Sequence, residues 1–123
     1  MKLVIGGAYQ GKRSYASEQY GILEEEWLDG NTCCEEDLMK ARAVYDFHKC
    51  IQKNEKLEYK IDELCRQNPN IVIVTTEVGA GVVPMNGQDR IWRERCGRIC
   101  TRLAKEADEV VRICCGIGQR IKG

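Results

Sequence analysis

The stretch Leu3-Val4-Ile5-Gly6-Gly7-Ala8-Tyr9-Gln10-Gly11-Lys12 constrains this chain more than any other part of it. An apolar, β-branched run passes directly into GxxxxGK and then into a helix-compatible segment, Lys12 to Tyr20. Strand, glycine loop and helix, in that order, are the context in which a backbone wraps a phosphate with its N–H groups turned inward. Side chains at the positions of Gly6 and Gly11 would block that approach. Lys12 supplies a point charge for the terminal phosphates, and the helix opening near Gly11 adds the positive end of its dipole. The residues expected to hold a nucleotide are therefore Gly6, Gly7, Ala8, Tyr9, Gln10, Gly11, Lys12, Arg13 and Ser14. The pattern normally closes on Ser or Thr, whose hydroxyl ligates magnesium. Here Arg13 occupies that position and Ser14 follows one residue later. The plainer alternative is an ordinary glycine turn between a strand and a helix.

At 123 residues the chain reads as a single domain, 1–123, able to bury a core but short for a nucleotide-binding α/β enzyme, so a trimmed sheet is expected. Its 19 Lys and Arg balance 19 Asp and Glu. With no net charge, no overall field draws it to nucleic acid or to an anionic membrane, and neither is expected as a partner. No stretch approaches the ~20 apolar residues of a membrane span. Met1 to Ile5 runs into the glycine loop and not into a signal-peptide cleavage site, which predicts a cytoplasmic protein.

Eight cysteines in so small a chain raise the question of a disulfide framework or a zinc site. No CxxC pair occurs, and the adjacent pairs Cys33-Cys34 and Cys114-Cys115 cannot easily converge on one tetrahedral metal. Cys96 and Cys100 are four apart and share a helix face, which suits packing as well as ligation. Free thiols in a reducing compartment are the expectation.

Along the chain, Lys2 to Ile5 reads as the first strand and Lys12 to Ile22 as a helix. Glu25-Glu26-Trp27-Leu28 reads as a second strand ending at Asp29-Gly30. Asn31-Thr32 offers a cap, after which Leu38, Ala41, Val44, Tyr45, His48 and Ile51 recur at helical spacing as one buried face. A charged, solvated helical segment is expected over Glu55 to Cys65, stopped by Asn68-Pro69-Asn70. The continuous run Ile71 to Thr76 has the pattern of a central strand buried on both faces of a parallel sheet. A glycine-rich loop, 77–87, leads to a long amphipathic helix from Asp89 to Lys105, with Ile91, Trp92, Arg95, Ile99 and Leu103 on its contact face. Val110 to Cys115 gives a last parallel strand, and Gly116-Ile117-Gly118 turns into an antiparallel return. Strands alternating with helices predict a doubly wound α/β sheet.

The second half carries a more specific signature. Val74-Thr75-Thr76-Glu77-Val78-Gly79-Ala80-Gly81-Val82-Val83-Pro84, then Gly97-Arg98, Arg102-Leu103-Ala104, Ala107-Asp108-Glu109-Val110 and Gly116-Ile117-Gly118-Gln119-Arg120-Ile121-Lys122, closely resemble the adenosylcobinamide kinase / adenosylcobinamide-phosphate guanylyltransferase family of cobalamin biosynthesis. The resemblance is tight over residues 71–123 and 2–14 and weak over 15–70. It implies an α/β, RecA-like P-loop sheet, mostly parallel and flanked by helices, in a protein that assembles as a homotrimer. It also implies phosphorylation of a hydroxyl on adenosylcobinamide, a corrinoid, with ATP or GTP and Mg2+, followed by GMP transfer through a covalent histidine. The segment that carries that histidine in the family has no counterpart here. The one histidine, His48, stands elsewhere in chain order and reads as a structural residue, so guanylyl transfer is not expected.

By chain order and the resemblance, Asp29 is the candidate acid near magnesium, with Ser14 as a second metal ligand; a strand-ending Asp-Gly turn explains Asp29 equally well. Glu77 ends the strand expected beside the first one, where ligands gather in open α/β sheets, and is a candidate base. Lys12, Asp29 and Glu77 make up the expected catalytic set. Gly79 and Gly81 are second-rank candidates. Arg90, Arg93, Arg95, Arg98 and Arg102 read as a solvated face pairing with Glu94, Glu106 and Asp108, with Arg98 singled out for a phosphate or subunit contact. The expected activity is a nucleotide-dependent kinase acting on adenosylcobinamide. Arg13 keeps two alternatives open, a nucleotide- or corrinoid-binding relative without turnover and a subunit that needs a partner.

Overall fold

The computed structural model describes residues 1–8, 10–78 and 87–123. Tyr9 and the candidates Gly79 and Gly81 lie outside the described residues. In chain order the elements are β1 (Lys2–Gly6), α1 (Lys12–Tyr20), a 3-10 turn (Glu24–Glu26), β2 (Trp27–Asp29), α2 (Glu35–Leu38), β3 (Ala43–Tyr45), α3 (Phe47–Lys53), a second 3-10 turn (Leu57–Lys60), α4 (Ile61–Gln67), β4 (Val72–Thr76), α5 (Gly87–Glu106), β5 (Glu109–Cys114) and β6 (Ile117–Lys122).

Six strands form one sheet in the order β2-β3-β4-β1-β5-β6. The first five are parallel, and β6 returns antiparallel along β5. This is the expected α/β sheet, with β4 between β3 and β1 as its apolar run predicts. Side chains alternate across the pleat. Leu3, Ile71 and Ile73 face the layer built by α3, α4 and α5, together with Phe47, Ile61, Leu64, Ile99 and Leu103. Val4, Val72, Val74, Val111 and Ile113 face the opposite side with Ala16 of α1. No helix among the described residues is long and apolar enough to cross a membrane.

The expected helical face from Leu38 to Ile51 is not one helix. A four-residue helix, α2, gives way to β3, and α3 begins only at Phe47. Three residues are too few for a period-two signal, and Ala43 and Val44, buried at 0% exposure, show no polar alternation. Pairing with β2 and β4 on either side overrides the local spacing. The segment expected to be a solvated helix, 55–65, is a 3-10 turn and the start of α4, and it buries Leu57, Ile61 and Leu64 completely. Two of the α5 arginines, Arg98 and Arg102, pair there, and among the described residues no ion pair joins an α5 arginine to Glu94, Glu106 or Asp108. Arg98 Nε donates to Glu58 Oε2 at 2.7 Å, Arg102 pairs with Asp62, and Arg95 donates to the Ile51 carbonyl. Ile91, expected on the contact face of α5, is exposed.

Phe47, fully buried at the start of α3, is the largest side chain joining that helix to the sheet. Phe47→Ala is expected to lower the unfolding free energy by about 3–5 kcal/mol, from lost transfer energy plus the cavity left behind. Urea denaturation followed by circular dichroism measures it.

Candidate functional site

The site begins where β1 leaves the sheet. Gly6 pairs with Thr76 of β4 and Ile113 of β5, and a Cβ at Gly6 would stand 2.6 Å from the Ile113 carbonyl oxygen. Any side chain there would push the ends of β1 and β5 apart. The loop then turns into α1 at Gly11, whose φ is 80°. Its far side is clamped by the β5–β6 turn: the Cys115 N–H donates to Gln10 Oε1 at 2.6 Å, and the Gly116 N–H donates to the Gln10 carbonyl at 2.9 Å. Gln10 is thus tied to the hairpin through both its side chain and its backbone.

Lys12 is buried at the first turn of α1, and its Nζ donates to the Gly7 carbonyl at 2.6 Å, spanning the loop. Burial lowers its pKa from the ordinary lysine value, while the charges of Asp46 and Glu77 act to raise it. One ammonium and two carboxylates therefore gather at the carboxyl ends of β3, β4 and β1, three neighbouring strands. That edge is where open α/β sheets receive ligands.

Glu77 follows β4 directly. Its N–H donates to the Gly6 carbonyl at 2.8 Å, and its carboxylate accepts from Arg112 Nε at 2.9 Å. Asp46 follows β3 at a φ of 52° and lies 3.6 Å from Lys49 Nζ. Sequence reasoning missed Asp46 because it placed the residue inside a helix. The signal is Ala43-Val44-Tyr45-Asp46, a short apolar run ending in an acid.

Asp29 ends β2, with β3 and β4 between it and β1. Its Oδ1 accepts the Asn31 N–H at 2.8 Å, the geometry of a strand-ending turn. Among the described residues no hydrogen bond or ion pair joins Asp29 to Lys12 or Ser14. Arg13 turns to the same side. Its guanidinium stands 4.1 Å from the Tyr45 ring centroid and 5.5 Å from that of Trp27, and pairs with Glu24 at 2.5 Å. Planar stacking of this kind is what guanidinium favours. Ser14 is exposed and opens onto a surface hollow lined by Arg13, Ser17, Glu18 and Glu24. The site residues read from the sequence thus fall into two groups, one around Lys12 with Glu77 and one around Arg13 with Asp29.

His48 sits in the first turn of α3, buried between that helix, the end of β4 and α5. Its Nδ1 accepts the Thr76 N–H at 3.4 Å, and its carbonyl accepts the Trp92 indole N–H at 2.9 Å. Burial is the main cause that lowers its pKa; Lys49 and Lys12 act the same way against Asp46. The unfolded chain therefore binds this proton more readily than the folded one. Stability is expected to fall as pH drops through about 6.5 and to level off below the folded-state value. His48→Asn should flatten the pH 7 to 5 part of a denaturation profile; an unchanged slope would remove His48 as its cause. All eight cysteines are free, and Cys33 and Cys50 stand with their sulfurs 3.6 Å apart in the core. Among the described residues no group of three or more His, Cys, Asp or Glu side chains is arranged to hold a metal ion.

Strand, glycine loop, helix and acid-tipped neighbouring strands define an α/β protein of the P-loop type. The model of the cobinamide kinase / cobinamide phosphate guanyltransferase family matches residues 28–121, more than half of the chain, and the chain belongs to that family. The bifunctional adenosylcobalamin biosynthesis protein CobU of Salmonella typhimurium is 48% identical over 59 residues, which make up 47% of this chain and 33% of that protein. The protein of the same name from Escherichia coli is 42% identical over 59 residues, with the same coverage. The matched part spans about a third of the length of these curated relatives. The family match begins after the glycine loop, so the loop rests on its own residues and geometry.

Proposed function

We propose that the chain works in adenosylcobalamin biosynthesis as a nucleotide-dependent kinase that phosphorylates adenosylcobinamide, binding ATP or GTP at Gly6 to Lys12. The observation that carries this reading is the gathering of Lys12, Asp46 and Glu77 at three adjacent strand ends beside a loop that admits no side chain at Gly6. Phosphoryl transfer is mostly positioning and charge stabilisation, and a loop, a lysine and an acid supply both. Magnesium commonly takes one or two carboxylates and fills its remaining positions with phosphate oxygens and water. One half-exposed carboxylate at the end of β3 fits that demand, so Asp46 would hold the ion, and the ion would neutralise charge on the β- and γ-phosphates. In the transfer, an acceptor hydroxyl oxygen bonds to the γ-phosphorus, the bond to the β-phosphate oxygen breaks, the hydroxyl proton passes to Glu77, and the nucleoside diphosphate leaves. Guanylyl transfer stays outside the proposal, since His48 is covered and its Nδ1 accepts a backbone N–H.

A nucleotide-binding relative without turnover is the second reading. It is favoured by Arg13, which stands in place of the magnesium-ligating hydroxyl and is held against Tyr45 and Glu24. Titration of ATP and GTP, each with magnesium and with EDTA, separates the two. Adenosylcobinamide is then added to the tight combination and its phosphate sought by mass spectrometry. Magnesium-dependent binding and a product heavier by one phosphate support the kinase; equal binding in EDTA with no product supports the binding relative.

A further inference from the structure

Two thiols touch in the core between the turn after β2 and α3. Cys33 lies on that turn, in no helix or strand, and Cys50 lies on α3. Their sulfurs stand 3.6 Å apart, although the residues are 17 positions apart in the chain. Two further contacts seat the same segments on each other. The Gly30 N–H donates to the Tyr45 carbonyl at 2.9 Å, and a Cβ at Gly30 would stand 2.4 Å from the Asp46 carbonyl oxygen. The turn is therefore held against the junction of β3 and α3 at Gly30, and it delivers Cys33 to Cys50 from there. Asn54 fixes the second sulfur: its Nδ2 donates to the Cys50 carbonyl at 2.8 Å and to Cys50 Sγ at 3.4 Å.

From this geometry we infer that Cys33 and Cys50 form a reversible dithiol–disulfide site, open in the reduced protein and closed by a small-molecule disulfide into a bond that ties the β2 turn to α3. A disulfide brings its sulfurs to about 2.05 Å. The remaining approach falls to Cys33, whose side chain turns on a segment outside regular structure, while Cys50 stays on its helix. The two thiols are unequal in the way that exchange requires. Cys50 is fully buried and Cys33 is 9% exposed, so an oxidant meets Cys33 first. The Cys50 S–H donates to the Cys33 sulfur and lowers the Cys33 pKa against the effect of burial; the same bond, together with burial, raises that of Cys50. Thiolate is the attacking form. In the first step the Cys33 thiolate bonds to one sulfur of the oxidant, and the other half of the oxidant leaves as a thiolate. In the second, Cys50 gives up its proton, its sulfur bonds to Cys33 Sγ, and the remaining half leaves. Two protein thiols are oxidised and one disulfide is reduced to two thiols. Asn54 donates to the Cys50 sulfur as its charge forms. The bond closes residues 33–50 into a ring that contains α2, β3 and Asp46. It thus acts on the segment that carries the acid near Lys12, whatever reaction that acid serves.

The full chain, folded and at neutral pH, is incubated with oxidised glutathione, blocked with N-ethylmaleimide and digested with trypsin. Cleavage after Lys and Arg leaves Cys33 and Cys34 together on residues 14–40 and Cys50 on residues 50–53. Mass spectrometry should find these two peptides joined, lighter than their sum by a pair of hydrogens and separated again by dithiothreitol. Cys34→Ser assigns the bond, since a link made by Cys33 persists in that variant and a link made by Cys34 is lost. In Cys34→Ser/Cys50→Ala the resolving thiol is gone, so one glutathionyl group should remain on residues 14–40; sulfurs that only pack together would give none. The oxidised parent should unfold about 10 °C above the reduced one, the effect of closing a ring of this size, and Cys50→Ala treated in the same way should show no such rise. Hydrogen exchange in β3 and α3 should slow in the oxidised parent. No joined peptides, a link formed only in urea, a link made by Cys34, or an oxidised parent that unfolds below the reduced one would each overturn the inference.

Discussion

Lys12→Gln is expected to weaken ATP and GTP binding by roughly tenfold to a hundredfold while leaving the fold intact. The two halves of that expectation have different causes. A charge-assisted hydrogen bond to a phosphate is worth about 1.5–3 kcal/mol, and each 1.4 kcal/mol is a factor of ten in affinity. The fold does not need the charge. Burial lowers the pKa of Lys12, so the folded state holds its proton less well than the unfolded chain, and the ammonium is a cost that Gln does not carry. Its hydrogen bond to the Gly7 carbonyl can be replaced by the Gln amide or by water. Isothermal titration with each nucleotide, alongside thermal unfolding of both proteins, measures the two effects. Unchanged affinity in a folded variant would mean that the loop does not hold the nucleotide through Lys12, and the site would have to be sought elsewhere.

The reason such a variant can be chosen from sequence is that β1, its loop and α1 form a continuous local pattern: apolar run, glycines, lysine, helix. The same is true of β4, whose run from Ile71 to Thr76 is long enough to be read alone, and of α5, whose apolar positions persist over several turns. β5 and the return strand were legible for the same reason. The middle of the chain was not. β3 is three residues long, and its neighbours Leu38, Ala41, His48 and Ile51 fall by coincidence on a helical period, so the spacing pointed to one helix where pairing with two strands decides the structure. Read as part of a helix, Asp46 does not stand at a strand end, and chain order offers Asp29 instead. Other site features are contacts between residues far apart in sequence, invisible to any local pattern. The β5–β6 turn holds Gln10 across 105 positions, and Arg13 stacks on Tyr45 across 32 residues of chain. The identity of Arg13 was plain, but its direction was set by an aromatic surface that exists only when β2 and β3 pair.

The choice between the two acids has its own test. Asp46→Asn is expected to abolish most of the gain in nucleotide affinity that magnesium gives, and to reduce any phosphoryl transfer by about a hundredfold or more, the scale seen when one electrostatic group of a transition-state site is removed. Asp29→Asn should leave both close to the parent. Asn is a mild replacement at position 46, since Asn and Asp are the residues that best tolerate the left-handed backbone found there, at a φ of 52°. The Lys49 pair it breaks is solvent-accessible and contributes little. The sign in EDTA is the informative part. Without the ion, the Asp46 carboxylate repels the phosphates, so removing its charge should make metal-free binding equal to the parent's or tighter, while the Lys12 variant binds more weakly in both conditions. A pair of variants that move in opposite directions in chelator, and in the same direction with magnesium, places the cation-binding and phosphate-binding roles on separate side chains. If Asp29→Asn gives that pattern and Asp46→Asn does not, the metal belongs at the end of β2, and the acceptor would have to approach Lys12 across β3 and β4.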